Sequence, residues 1–186
     1  RNDKENELNA FLLSDSDKPG KRRSILSTLP LYTADRELLK QILKRNKISE
    51  ERQKDILEYA EAQKLRVIKI LETKILEDEI PIVTKDEFAA HPQVMELSGI
   101  FCETDITYSY EEYMSHLAMT EEFAASHSNY KLLKASTPAF RNLQILIHED
   151  QWVMVSKSKA PAIHFVIRHP KLRKAIENFI PPVIDK

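Results

Sequence analysis

Gln144, His148, His164 and Arg168 are the side chains of this 186-residue chain whose types and spacing could do chemistry together. The first two fall in the segment Leu143 to His148 and the second two in or just after Ile163 to Ile167, both rich in β-branched residues. Alternate side chains of an extended strand share a face, so Gln144, Leu146 and His148 lie on one side of their strand. His164, Val166 and Arg168 do the same on theirs. If the strands are near neighbours in a sheet, these groups converge, with Ser156 or Lys157 contributed by the strand between them. A few convergent polar groups over apolar walls are what a small-ligand site requires. Arg168, Lys157 and a protonatable His164 suit an anionic group, through charge-assisted hydrogen bonds. The candidate ligand set is therefore Gln144, His148, Lys157, His164 and Arg168, against the plainer alternative of a solvated sheet face.

Other chemistry finds little support. Gly20 and Gly99 are the only glycines, which excludes a phosphate-cradling Gly loop and a dinucleotide fingerprint. There is no Gly-x-Ser-x-Gly elbow and no His-Glu-x-x-His helix. His164 and His169 would point to opposite faces of a strand, so no metal site is expected without a third ligand such as His148. Cys102, in Ile-Phe-Cys-Glu, reads as a small buried hydrophobe before it reads as a nucleophile. Trp152, Tyr108, Tyr110 and Tyr113 read as packing residues, and Glu121-Glu122 as a solvated helix face. No catalytic residue and no cofactor is assigned; an enzyme using His164, Arg168 or Cys102 is the weaker alternative.

The elements that must position these groups follow from pattern. Hydrophobic residues at 42% and charged residues at 31% are ordinary globular values, and the formal charge is -1. Near neutrality argues against a nucleic-acid reader, with Lys18 to Arg23 the single basic stretch. One cysteine excludes an intrachain disulfide, and no run suggests a membrane span or a signal peptide, so a cytoplasmic location is expected. A chain that opens on Arg1 instead of Met also reads as a fragment of something longer.

Residues 1–30 read as a flexible linker. Residues 31–77 read as helical and capable of mediating a homodimer: Thr33 caps a helix ending near Asn46, and Ser49 caps a long one running to about Glu77. The second half of that helix carries apolar residues around more than half its circumference, so the rest of the chain or a second copy must cover it. Residues 78–186 read as an α+β sensor domain. Thr84 with Glu87 and Ser109 with Glu112 form capping boxes that open two helices, with a short strand or irregular segment near Gly99 to Cys102. Tyr130 to Leu133, Leu143 to His148, Gln151 to Val155 and Ile163 to Ile167 read as a four-stranded antiparallel sheet with a hairpin at Glu149-Asp150. Lys171 to Phe179 is the closing helix before Pro181-Pro182. Leu143, Ile145, Ile147, Ile163, Phe165 and Ile167 are expected on the core side.

The segments RRSILSTLPLYTADRELLKQILKRNKISEERQKDIL, YSYEEYMSHLAMTEEF, HSNYKLL and QWVMVSKSKAPAIHFVIRHPKLRKAIENF together resemble the C-terminal region of bacterial phage-repressor-like (Xre-type) helix-turn-helix transcriptional regulators, over most of residues 22–180. The resemblance implies a non-catalytic effector region that senses a ligand or partner and holds a dimer together. DNA contact would belong to an N-terminal helix-turn-helix that is not evident here, so no DNA-binding residue is carried over. A dimerisation-only module is the alternative.

Overall fold

The computed structural model describes residues 18–91, 93–95, 105–135, 143–157 and 163–180. Residues 1–17 of the expected linker, and the readings that rest on Gly99 to Cys102 and on Pro181-Pro182, lie outside them. The described residues form a mixed α+β fold with a six-stranded sheet, a two-stranded ribbon and five α-helices. In chain order these are β1 (Arg22–Ile25), a 3-10 turn (Leu31–Thr33), α1 (Arg36–Arg45), α2 (Glu50–Leu71), β2 (Leu76–Pro81), α3 (Lys85–Ala90), β3 (Val94–Met95), β4 (Ile106–Thr107), α4 (Tyr110–Ser126), β5 (Tyr130–Ala135), β6 (Gln144–His148), β7 (Trp152–Lys157), β8 (Ile163–Ile167) and α5 (Pro170–Phe179).

The large sheet runs β5-β2-β1-β6-β7-β8. Strands β5, β2 and β1 are parallel, and β1, β6, β7 and β8 are successively antiparallel. The expected antiparallel sheet is thus correct for β6, β7 and β8, joined through Glu149-Asp150 with Asp150 at φ 61°. It is wrong for β5, which lies at the far edge beside β2. Long helical crossovers separate β1, β2 and β5, and such connections return a strand parallel to its neighbour. Arg22–Ile25, expected within the linker, is instead the strand that joins the two halves. Four residues, two of them arginines, give too little alternation to be recognised.

Helix caps set most boundaries. Ser49 accepts from the Arg52 amide, while Thr84 and Ser109 make full capping boxes with Glu87 and Glu112, as their spacing predicts. Asp35, not Thr33, caps α1 by accepting from the Leu38 amide, because Thr33 is buried in the preceding 3-10 turn. Asn46 keeps a negative φ at the end of α1, and Lys47 takes the left-handed conformation at φ 56°. Helix α2 stops at Leu71 instead of near Glu77, which makes it roughly 33 Å long. Leu76 begins β2 instead of extending the helix.

The chain itself covers the second half of α2. Val67 and Leu71 are buried with Tyr32, Leu76, Phe123 and Tyr130, while Leu65 stays 60% exposed. The first half packs Ile56, Leu57 and Ala60 against Leu38, Leu39, Ile42 and Leu43 of α1 in the main core. On the other side of the sheet, Ile25, Ile145, Ile147 and Val153 are covered by Ile176 and Ile180 at the α5 end. Ile145 and Ile147 are core as expected. Ile163 and Phe165 are not, at 41% and 61% exposure. They sit on the edge strand, and α5 packs over β7 without reaching far enough to cover them.

Candidate functional site

The opposite sheet face holds the polar groups in three cross-strand rows. Register places Leu76, Arg22, His148 and Trp152 in one row; Asp78, Ser24, Leu146, Met154 and Val166 in the next; and Gln144, Ser156 and His164 in the third. Above this grid runs α2, whose Gln63, Arg66, Val67 and Ile70 follow an i, i+3, i+4, i+7 stripe and so face the same way. A cavity of about 160 Å³ lies between them, closed on one side by the segment Leu26 to Tyr32. Leu146, Met154, Trp152, Val67 and Ile70 make its walls largely apolar. Its polar groups come from both layers: Arg22, Ser24, Asp78, Gln144, Ser156 and His164 from the sheet, and Gln63 and Arg66 from the helix.

Of the five residues expected to bind a ligand, the fold brings Gln144 and His164 to this cavity. His164 Nδ1 lies 2.9 Å from Ser156 Oγ on the neighbouring strand, and partial burial lowers the imidazole pKa, which favours the neutral ring. The other three do not reach it. His148 has the expected parity but lies fully buried in the row of Arg22 and Trp152, two rows from Gln144 and His164, with its Nε2 bonded to the Pro19 carbonyl at 2.8 Å. Lys157 pairs with Ile163 and so projects from the other face. Arg168 follows the end of β8 and does not line the cavity. The positive charge at the cavity is supplied by Arg22 and Arg23, which fall within the segment expected to be a linker, and by Arg66 on α2.

Asp78 is the acidic side chain at the cavity. It is 2% exposed and accepts hydrogen bonds from Tyr32, from Tyr130 at 2.8 Å and from Ser24. Burial raises its pKa, and these donors only partly offset that. Burial followed by the Asp78 charge raises both tyrosines, so their hydroxyls stay protonated donors. Asp78 sits within the run Glu77-Asp78-Glu79, where a sequence reading assigns solvated charges. The interior position of β2 in the sheet buries both Glu77 and Asp78, on opposite faces, and of the two only Asp78 lines the cavity.

A second buried polar cluster braces the roof of the fold. His116 is fully buried on α4, in line with Tyr113, Thr120 and Phe123. Its Nε2 faces the Pro30 carbonyl at 3.1 Å, which assigns the proton to Nε2, and its Nδ1 then accepts from the Tyr108 hydroxyl at 2.7 Å. Thr33 Oγ1 lies 3.0 Å from Nε2 and 2.7 Å from Thr120 Oγ1. Burial lowers the His116 pKa to about 4, against the opposing pull of the Pro30 carbonyl and Asp35. Nearby, Arg45 clamps Glu112 with Nε at 3.0 Å and Nη2 at 2.7 Å. Burial works to raise the Glu112 carboxyl, but Arg45 and the Ser109 amide outweigh it and leave the pKa below its ordinary value. These contacts tie α1, α4 and the cavity-closing segment together, and they are structural.

Comparison with known proteins finds no matching family model, no matching curated protein and no matching solved structure. Among the described residues no helix is long and apolar enough to cross a membrane, and no group of three His, Cys, Asp or Glu side chains could hold a metal ion.

Proposed function

We propose that the chain is the effector region of a transcriptional regulator of the phage-repressor-like helix-turn-helix class, and that it binds a small ligand between α2 and the sheet. The observation that carries this reading is the cavity of about 160 Å³ between α2 and the sheet, whose lining mixes apolar walls with polar groups from two layers. A molecule seated there touches Gln63 and Arg66 on the helix and Gln144, Ser156 and His164 on the sheet. Its binding therefore biases the position of α2, an element long enough to carry the change beyond the site. DNA contact belongs, in this reading, to an N-terminal helix-turn-helix outside the chain. Titration of the protein with ring-sized compounds, followed by ligand-observed NMR, tests it. Saturable binding that disappears in Leu146→Trp, and weakens in the milder Leu146→Phe, is expected. Compounds that bind both variants like the parent protein, or no binder at all, overturn the reading.

A dimerisation module is the second reading, favoured by exposed apolar side chains on the last two elements: Ile163 and Phe165 on β8, and Leu172 and Phe179 on α5. It predicts a dimer by light scattering that Phe165→Glu converts to monomer. The sensor reading also accommodates a homodimer, so cavity binding separates the two.

A further inference from the structure

We infer that the cavity takes a small organic carboxylate with a compact apolar body, its charged end held by Arg66 and Arg22 and a polar contact supplied by Gln63. This rests on the sensing role of the cavity and adds the chemical class of what is sensed.

Size comes first. A cavity of about 150 Å³ admits a benzene ring, so about 160 Å³ suits a ring or branched chain bearing one or two substituents. The middle of the floor is Leu146 beside Met154, with Trp152 in the adjoining row and Val67 and Ile70 above, which fits an apolar body.

Charge comes second. Three arginines line the cavity, Arg22 and Arg23 from the sheet and Arg66 from the helix, and guanidinium is the group best matched to a carboxylate by its fork of donors. The opposing carboxyl, Asp78, already accepts from Tyr32, Tyr130 and Ser24. Its lone pairs face the protein, and burial favours its neutral form, so it attracts a ligand cation poorly. The His164 ring is held near neutral by the same effect and acts as a hydrogen-bonding group, not as a charge.

The third observation is independent of charge. Gln63 Oε1 is buried at the cavity wall and has no hydrogen-bond partner among the described residues. A buried acceptor left without a donor is costly, and an ionised carboxylate cannot supply one; turned over, the amide presents its N–H at that position instead, a donor for a carboxylate oxygen. In that orientation a carboxylate oxygen beside the Arg66 turn of the helix pairs with Gln63.

The test is calorimetric and NMR titration of the full chain with four matched probes: benzoate, benzamide, benzylamine and toluene, with inorganic phosphate as a fifth. Benzoate should bind saturably and at least about tenfold more tightly than benzamide or benzylamine, and phosphate should give no saturable binding. Arg66→Met should weaken benzoate at least about tenfold and leave toluene unchanged; Gln63→Leu should weaken benzoate and not toluene. Equal affinity for benzoate and benzamide, or benzoate affinity untouched in Arg66→Met, overturns the carboxylate assignment while leaving a ligand cavity in place. If neither toluene nor benzoate binds at millimolar concentration, the cavity reading falls with it. Phosphate bound as tightly as benzoate, and lost in Arg66→Met, would replace the organic acid by a plain anion site.

Discussion

His116 should make the fold acid-sensitive in a way that one substitution reveals. Its pKa falls from an ordinary 6.5 to about 4, because the ring is fully buried. Tyr108 and the Pro30 carbonyl bond to the ring, Thr33 and Thr120 pack beside it, and Asp35 is the nearby charge that opposes the shift. In the unfolded chain the imidazole takes up a proton below about pH 6.5, while the folded protein resists until about pH 4. The unfolded state then binds more protons, so stability is fully present above pH 6.5 and is lost as pH falls toward 4. At about 1.4 kcal/mol per pKa unit, the loss is about 2 kcal/mol between pH 7.5 and 5 and about 3 kcal/mol by pH 4. Other groups titrate over the same range, so the comparison is with His116→Gln, which keeps a neutral hydrogen-bonding side chain but cannot titrate. Urea unfolding of both proteins at pH 7.5 and 5 is the assay. The parent should lose about 2 kcal/mol more than the variant over that interval; an equal loss would refute the assignment of a buried neutral imidazole.

Further outcomes follow from the other buried contacts. Tyr130→Phe removes one donor from Asp78 and should cost about 1–2 kcal/mol. Because burial raises the Asp78 pKa in the folded state, its ionisation opposes folding as pH rises, so urea melts should show a larger deficit at pH 8 than at pH 5. Arg45→Met leaves the Glu112 carboxylate without its guanidinium and should lower stability by about 1–3 kcal/mol in thermal or chemical melts. Gly20 adopts φ 120°, and a Cβ there would lie 2.9 Å from the Glu149 carbonyl oxygen and 3.1 Å from the His148 ring. Gly20→Ala should therefore destabilise by about 1–3 kcal/mol, while Leu65→Ser, at an exposed helix position, should change stability by less than about 0.5 kcal/mol.

Local signals were legible in the sequence wherever a side chain decides its own neighbourhood. The capping boxes at Thr84 and Ser109, the hairpin at Glu149-Asp150 and the three antiparallel strands all depend on residues close in the chain, and they fall where their spacing predicts. The cavity does not. Parity placed Gln144 and His164 on the same face, yet it could not show that the helix above them is α2 or that Arg22 enters from the other end of the chain. His116 follows Tyr113 by three residues and precedes Thr120 by four, so the same helical stripe carries it into the core, yet nothing in the sequence marks its ring as one that is held neutral there. Asp78 offered no signal at all, because only the order of strands decides which charge of an acidic run faces the cavity.

Strand β1 has a consequence for how the fold is assembled. It pairs with β2 on one side and with β6 on the other, so it joins both halves of the sheet, and both partners lie far from it in the chain. Without it, β5-β2 and β6-β7-β8 are two separate ladders with unpaired edges facing each other. Such long-range pairing is slow to form, and two open edges invite association with other chains while it is pending. A version beginning after Ile25 should aggregate instead of yielding a smaller domain, even though it keeps every helix and most of every core cluster. Within the sheet, β1 precedes its other strands in the chain, yet its pairing with β6 must wait for nearly all of them.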